Sequence, residues 1–196
     1  AASKFQAVDT ANIELDLESH FVGYEFLEAP AVILAIVHNG ATVESAAPGA
    51  EVLLILNTTP FYAESGGQVG DRGIIRSGNA SFHVTDTFKN GENCLHRGKV
   101  VEGKMFLGDT VTAVVDRARR DATILNHSAT HLLHAALRSV LGEHVSQRGS
   151  LVDSEKLRFD FSHYEAVTNL QMREIEWMVN KEIRRNTLVQ TEVMKS

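Results

Sequence analysis

Two histidines, His127 and His131, lie four residues apart in the middle of an apolar stretch. The apolar residues around them recur at the spacing of one helix face, and a helix would place both imidazoles on the same side, one turn apart. Neutral imidazole is the commonest metal ligand in proteins, and zinc readily accepts it. The pair is therefore a candidate source of two zinc ligands. Two ordinary polar residues beside a core would show the same spacing.

The neighbours of this pair exclude one familiar zinc chemistry. In proteases with the H-E-x-x-H motif, the Glu directly after the first His acts as the general base. Here Ser128 follows His127, and no Asp or Glu stands at helical spacing from either histidine. The sequence therefore does not predict a zinc protease, and no carboxylate general base is evident.

Four longer motifs give the chain a more specific pattern. In order they are T-P-F-Y-A-E-S-G-G-Q-V-G-D at 59–71, N-H-S-A-T-H-L-L-H-A-A-L-R at 126–138, V-S-Q-R-G-S-L-V at 145–152 and L-R-F-D-F-S-H at 157–163. Together they closely resemble the editing region of alanyl-tRNA synthetases, from about Val22 to the end of the chain. The related threonyl enzymes share the histidine spacing, but the S-G-G-Q and Q-R-G-S motifs favour the alanyl family.

The resemblance implies hydrolysis of the ester bond in mischarged Ser-tRNA(Ala) or Gly-tRNA(Ala). The parent enzyme of such a region attaches alanine to tRNA(Ala) using ATP. A synthetic pocket built for alanine cannot strongly reject serine, which adds a hydroxyl, or glycine, which loses a methyl, so a second site is needed. Two alternatives remain open: a freestanding alanyl-tRNA deacylase, and a non-catalytic RNA-binding module.

The resemblance also implies roles for individual residues. His127 and His131 match the first half of the family's Zn²⁺ site, whose second half is a C-x-x-x-H expected downstream of Ser196 in a longer chain. Thr130 matches a threonine whose hydroxyl contacts the side chain of the misattached amino acid, and Gln147 and Ser150 match polar residues that line the same pocket.

Two further residues receive structural predictions. His134 shares the helix face of the histidine pair and is interpreted as a core residue beside the site. Cys94 is interpreted as a buried structural thiol, because it does not match the family's zinc cysteine.

The glycine-rich stretch at 63–71 has two readings. Taken alone, the paired glycines predict a tight structural turn, since glycine reaches backbone conformations closed to other residues. The resemblance instead implies a role near the tRNA acceptor end for Gly66, Gly67 and Gln68.

Charge is unevenly distributed along this chain of net charge −6. Residues 1–60 carry eight acids and one base, whereas the remaining 136 residues carry 18 bases and 17 acids. Arg117 and Arg120 stand in the first turn of the predicted long helix, where the helix dipole does not favour cations. We therefore interpret them as candidate contacts to a tRNA phosphate, with solvated helix faces as the alternative.

The periodicity of apolar residues predicts the strands and helices that position these residues. Short β segments separated by glycines predict an all-β module, a closed barrel, over 22–115; the segments lie at 31–37, 51–57, 73–77, 80–88 and 109–116. Residues 116–196 then predict a long helix ending at Gly142, two strands, a helix from about Thr168 to Arg185 and a last strand, L-V-Q-T-E-V-M. The expected fold is α+β: a small barrel packed on an α+β editing core of helices against an antiparallel sheet, with residues 1–21 as a leader.

Composition sets the broad class. The 196 residues include one cysteine, Cys94, so an intrachain disulfide is excluded and a cytoplasmic setting, or an organellar one, is expected. No apolar run approaches the roughly 20 residues that cross a bilayer. The expected partner is tRNA(Ala), with neither DNA nor a membrane.

Overall fold

The computed structural model describes residues 17–188. Within them eleven strands precede the first helix: β1 (His20–Phe21), β2 (Glu28–His38), β3 (Ala41–Val43), β4 (Ser45–Ala46), β5 (Glu51–Leu56), β6 (Thr58–Thr59), β7 (Gly73–Ser77), β8 (Ala80–Asn90), β9 (Asn93–Glu102), β10 (Met105–Phe106) and β11 (Thr110–Val115). They are followed by α1 (Arg117–Leu141), β12 (Ser146–Val152), β13 (Leu157–Ser162) and α2 (Asn169–Arg185).

Six of the strands close into an antiparallel barrel. The order is β11, β7, β8, β9, β5 and β2, and β2 pairs back to β11 with Val32 opposite Thr110 and Glu28 opposite Val114. Closure leaves no unpaired edge between these six strands. The sequence-based prediction of a closed barrel is therefore confirmed.

The barrel encloses an apolar core because its strands alternate between inward apolar and outward polar residues. Ile36, Leu54 and Phe82 are fully buried there. The strand β5 is buried on both faces, since its Leu53 and Ile55 belong to a second apolar cluster. A strand that is buried on both faces has a continuous run of apolar residues in its sequence, as V-L-L-I-L has here.

The strand β9 was absent from the predicted segments. Its consecutive residues Cys94, Leu95 and His96 are all buried, because both faces of the strand are covered there. Leu95 packs in the second apolar cluster on one face, and His96 shares the other face with the core residue Val100. The alternation that identifies a strand is therefore missing from its sequence.

The helix α1 begins and ends as predicted. The Asp116 carboxylate accepts a hydrogen bond from the Arg119 N–H at 3.1 Å, which caps the first turn. At the other end Gly142 has φ +113°, and its N–H donates to the Arg138 carbonyl at 3.0 Å. Positive φ at the residue after a helix favours glycine.

The elements after α1 form a layer of helix and antiparallel hairpin. Phe159 and Phe161 of β13 pack against a cluster that includes Leu137 of α1 and Ile175 of α2. Thr168 caps α2 in a reciprocal capping box with Gln171. These helices and the β12–β13 hairpin match the predicted α+β pattern; the predicted last strand falls almost entirely on residues outside the described part of the chain.

The chain divides into two compact units between residues 122 and 123. The predicted boundary was 115/116, so the first turn of α1 belongs to the first unit, where Arg120 donates to the carbonyls of Gly23 and Pro60. The predicted leader overlaps the described residues at 17–21, where the Ser19 hydroxyl donates to the Leu56 carbonyl at 2.8 Å and β1 pairs with β6. Among residues 17–188, no helix is both long and apolar enough to cross a membrane.

Candidate functional site

The two histidines lie on one face of α1, as their spacing predicted. The imidazole rings of His127 and His131 are stacked, with centroids 5.0 Å apart and an interplanar angle of 18°. His131 is exposed and His127 is half-buried. Burial, and secondarily the nearby His131, lowers the pKa of His127, so its imidazole stays neutral to a lower pH than usual. A neutral imidazole is the form that binds a metal.

The pair would supply two ligands to a zinc ion. Their placement one turn apart and the neutral state of His127 suit that role. Over residues 17–188, however, no group of three or more His, Cys, Asp or Glu side chains is arranged to hold a metal. Zinc sites use three or four protein ligands, so these histidines fit as part of a site rather than as a whole one.

Thr130 lies between the two histidines in the sequence, and its side chain is on the buried side of the helix. It is 5% exposed, and its Oγ1 donates to the Asn126 carbonyl at 2.8 Å. This bond uses the hydroxyl proton, and the lone pairs of Oγ1 remain as acceptors. The Asn126 side chain in turn donates to the Asp153 carbonyl at 2.8 Å, which fixes this turn of the helix. Thr130 therefore presents an oriented hydrogen-bond acceptor.

A β-bulge decides which way the candidate residues of β12 face. Gln147 is paired with Phe161 and Ser150 with Phe159, while the register shifts between Gln147 and Gly149. Residues three apart on a regular strand point to opposite faces, but the extra residue, Arg148, returns Ser150 to the face of Gln147.

That face is the one that packs on α1. The Phe159 ring lies 5.1 Å from that of His134, and Phe159 and Phe161 belong to the cluster that contains Leu137. Gln147 and Ser150 thus share the hairpin face of Phe161 and Phe159, where Gln147 is exposed and Ser150 is half-buried. His134 is half-buried, and its Nε2 is buried with no hydrogen-bond partner among the described residues; its place beside a site stays a prediction.

The glycine-rich loop forms a tight turn within the first unit. The Gly66 and Gly67 φ angles are +60° and +88°, and the Ser65 and Gln68 backbones exchange two hydrogen bonds of 3.2 and 3.0 Å. Positive φ at both central residues is typical of the type I′ hairpin turn, which favours Gly-Gly. Gln68 is 6% exposed, so its side chain faces the protein.

Arg120 has a different environment from the one its position in the sequence suggested. It is 6% exposed, and its guanidinium forms an ion pair with buried Asp71 and donates to the carbonyls of Gly23 at 2.7 Å and Pro60 at 2.9 Å. These protein groups occupy the donors that a tRNA phosphate would use. The burial thus gives Arg120 a structural role, whereas Arg117 is exposed at the start of α1 and stays a candidate phosphate contact.

Asp71 is the residue that sequence reasoning missed. Its carboxylate also accepts from the Tyr62 N–H at 2.7 Å, and its carbonyl accepts from the Thr87 hydroxyl at 2.8 Å. It therefore fixes the end of the glycine-rich loop to β8. The sequence signal was its place as the last residue of the A-E-S-G-G-Q-V-G-D motif.

Cys94 is buried, as predicted. Burial raises the pKa of its thiol to about 12, so the thiolate is not formed near neutral pH. The neighbouring His96 is fully buried, and its ring nitrogens contact the Leu54 carbonyl at 3.0 Å and the Thr59 hydroxyl at 2.7 Å. Both side chains belong to the barrel interior rather than to the α1 site.

A family model described as tRNA synthetases class II (A) matches residues 1–119, which is more than half of the chain. The chain belongs to the class II (A) tRNA synthetases. Three relatives named alanine–tRNA ligase are similar over nearly the whole chain. The protein of Methylococcus capsulatus is 54% identical across 99% of this chain, that of Pseudomonas entomophila 51% across 98%, and that of Nitrosococcus oceani 51% across 99%.

The family resemblance seen in the sequence is thus confirmed. The chain spans only 22–23% of the length of these three relatives.

Proposed function

We propose that this chain is the editing region of an alanyl-tRNA synthetase and hydrolyses the ester of Ser-tRNA(Ala) or Gly-tRNA(Ala). The proposal includes a parent enzyme that joins alanine to tRNA(Ala) with ATP in the cytoplasm. The observation that carries it is the arrangement on α1 and the hairpin: two stacked histidines, an oriented threonine acceptor on the same turn of the helix, and Gln147 and Ser150 on one face of the hairpin. The similarity to alanine–tRNA ligases over nearly the whole chain supports the substrate.

The proposed discrimination rests on Thr130. The hydroxyl of a misattached serine would donate to Thr130 Oγ1, whose own proton is held by Asn126. Alanine has no hydroxyl and leaves this buried acceptor unpaired, which costs binding free energy.

Gln147 and Ser150 would position the ester and an attacking water. An aminoacyl ester is already activated, so its hydrolysis needs orientation and hydrogen-bond donors toward the developing oxyanion. A zinc ion held by His127, His131 and further ligands would supply Lewis-acid polarisation or an anchor for the substrate's amino group.

The test is deacylation of Ser-tRNA(Ala) and Gly-tRNA(Ala) by a polypeptide that carries this segment with its natural continuation. Thr130→Val should lower kcat/KM for Ser-tRNA(Ala) by about tenfold, the loss of roughly one hydrogen bond, with a much smaller change for Gly-tRNA(Ala).

The matched control is Thr123→Val, which alters another buried threonine of the same helix. It should leave both rates within about twofold of the parent, because Thr123 lies seven residues before Thr130 and has no role in the proposed contact with the substrate. Equal losses for the two substrates in Thr130→Val, or no loss for either, would refute the role of Thr130. Absence of any deacylation by the parent polypeptide would refute the proposed function.

A further inference from the structure

The side chain of Asn126 joins α1 to the turn of the β12–β13 hairpin. Its Nδ2 donates to the Asp153 carbonyl at 2.8 Å, a contact between residues 27 apart in the sequence. Asn126 is half-buried, and both residues belong to the second unit. A hydrogen bond that is shielded from water is electrostatically stronger than one on the open surface.

The residue that Asn126 holds is itself fixed within the turn. The Asp153 carboxylate accepts from the N–H groups of Glu155 and Lys156 at 2.7 and 2.8 Å. The Asp153 N–H donates to the Lys156 carbonyl at 3.0 Å. An aspartate whose side chain bonds to the backbone two residues further on is typical of an Asx turn. Asn126 thus holds the turn as a whole rather than one loose residue.

Both ends of β12 are thereby connected to α1. At one end the four residues 142–145 join the helix to the strand. From Asn126 to Leu141 the helix advances roughly 22 Å at about 1.5 Å per residue. From Ser146 to Asp153 the strand extends at most roughly 24 Å at about 3.4 Å per residue. Because the two lengths match, the strand returns to the level of Asn126, where its far end is bound.

Two residues of the proposed site lie beside this contact. Thr130 follows Asn126 by one helical turn, and Ser150 precedes Asp153 by three residues. The Asn126 carbonyl also accepts from Thr130 Oγ1 at 2.8 Å. Asn126 therefore orients Thr130 through its backbone and holds the strand of Ser150 through its side chain.

We propose that Asn126 is a positioning residue of the deacylation site. Its carboxamide sets the spacing between Thr130 on α1 and Ser150 on β12, and this role rests on the proposed function. A misplacement of about 1 Å can lower a rate by about 100-fold, so one hydrogen bond at the end of the hairpin has a large kinetic effect. A bond that served stability alone would set the folded fraction, and its loss would leave the rate per folded molecule unchanged.

The first test removes the carboxamide in the polypeptide that carries this segment with its natural continuation. Asn126→Ala should lower kcat for Ser-tRNA(Ala) and Gly-tRNA(Ala) equally, by about tenfold per folded molecule, because Ser150 serves the ester of both substrates. KM should change by less than about twofold. Circular dichroism measures the folded fraction. This pattern differs from that of Thr130→Val, whose loss is expected mainly for Ser-tRNA(Ala).

Asn180→Ala is the matched control. The Asn180 side chain donates to the Glu176 carbonyl at 3.0 Å, so it also binds a backbone carbonyl from a helix, but within α2 itself. Both kinetic constants should stay within about twofold of the parent. An equal loss of kcat in the two variants, or no loss in Asn126→Ala, would overturn the proposal.

A double-mutant cycle with Ser150→Ala tests whether Asn126 acts through Ser150. If it does, Ser150→Ala should lower kcat by a smaller factor in the Asn126→Ala background than in the parent, since the hydroxyl is already misplaced there. Equal factors in the two backgrounds would contradict the positioning role. If Asn126→Ala does not fold, Asn126→Gln takes its place, because it displaces the amide by one methylene and should give the same pattern.

Hydrogen exchange in the 196-residue chain gives a readout that needs no deacylation. The amides of β12 and β13 should exchange faster in Asn126→Ala and at the parent rate in Asn180→Ala. Unaltered exchange in Asn126→Ala would contradict the inference. Faster exchange with no deacylation by the parent polypeptide would refute the proposed function and retain the contact between helix and hairpin. Deacylation that Asn126→Ala leaves unchanged would refute this inference alone.

Discussion

His96 is a titratable side chain buried in the barrel and outside the proposed site. Burial lowers its pKa from 6.5 to about 4, although the hydrogen bond to Leu54 opposes the shift. Its edge-on contact with the Phe61 ring, 5.2 Å between centroids, adds apolar surroundings. The barrel therefore holds His96 neutral at a pH where an exposed histidine begins to protonate.

This burial predicts a pH-dependent loss of stability. Above pH 6.5 His96 is neutral in both states; between 6.5 and about 4 the unfolded chain binds a proton that the folded chain does not. The free energy of unfolding should therefore fall with acidification, by about 1 kcal/mol from His96 between about pH 7.5 and about pH 5.5. Urea unfolding at the two pH values measures it.

His96→Gln keeps a polar side chain and removes the titration. We expect the variant to be less stable overall but to lose about 1 kcal/mol less between the two pH values. An unchanged pH dependence in this variant would show that His96 does not hold its proton differently in the two states.

At the scale of single residues, the sequence predicted which side chains of α1 lie on one turn but not the pairs that organise the barrel. His127, Thr130 and His131 stand within five residues, so local helical spacing predicts their common turn. Asp71 and Arg120 are separated by 49 residues, and no periodicity links them. Their contact depends on barrel closure, which only the folded chain reveals.

The hairpin β12–β13 is the element on which the proposed site depends most directly. Its strands were predicted from alternation in L-R-F-D-F-S, but the bulge was not, because one extra residue in S-Q-R-G-S leaves no clear signal. The bulge matters because Gln147 and Ser150 are three apart and would otherwise face opposite sides. The strand was thus predictable, but which of its residues share a face was not.

Deletion of Arg148 should therefore separate the two residues without removing the hairpin. A regular register would keep one of them on the α1-facing side and turn the other away. We expect deacylation of Ser-tRNA(Ala) to fall by about tenfold or more, with helix content by circular dichroism little changed.

Arg148→Ala is the matched control because it removes the side chain and keeps the extra residue. It should retain kcat, with any change confined to KM. A deletion variant as active as the parent would refute the need for the bulge, and equal loss in both variants would assign the effect to the Arg148 side chain.

For the whole molecule, the informative feature is where the first unit ends. Sequence composition changes at Asp116, which predicted a boundary there, yet the compact unit extends to Ala122. Arg120 lies within this extension, where it neutralises buried Asp71 and binds the carbonyls of Gly23 and Pro60. A boundary drawn from composition cuts through this contact.

Two fragments test this difference. A chain of residues 1–122 should fold by itself, with a dispersed NMR spectrum and a Cys94 thiol that resists alkylation, because it retains the barrel core and Arg120. A chain of residues 1–115 should be less stable by about 3–5 kcal/mol, since the loss of one partner leaves a buried charge uncompensated.

Urea unfolding of the two fragments measures the difference. Asp71→Asn in the shorter fragment is the control, and it should recover part of the loss by removing the unpaired charge. Equal stability of the two unmodified fragments would show that Arg120 does not determine the boundary.

Closure of the barrel between β2 and β11 also bears on how the protein is made. The closing pair joins Val32 to Thr110, so the strand that completes the barrel is synthesised nearly eighty residues after its partner. Until β11 emerges from the ribosome, β2 and β7 each lack one neighbour, and exposed strand edges of this kind invite association with other chains. By contrast, β12 and β13 pair across a short connection and can form as soon as they are translated. We therefore expect the nascent barrel to be the stage of synthesis most in need of a chaperone.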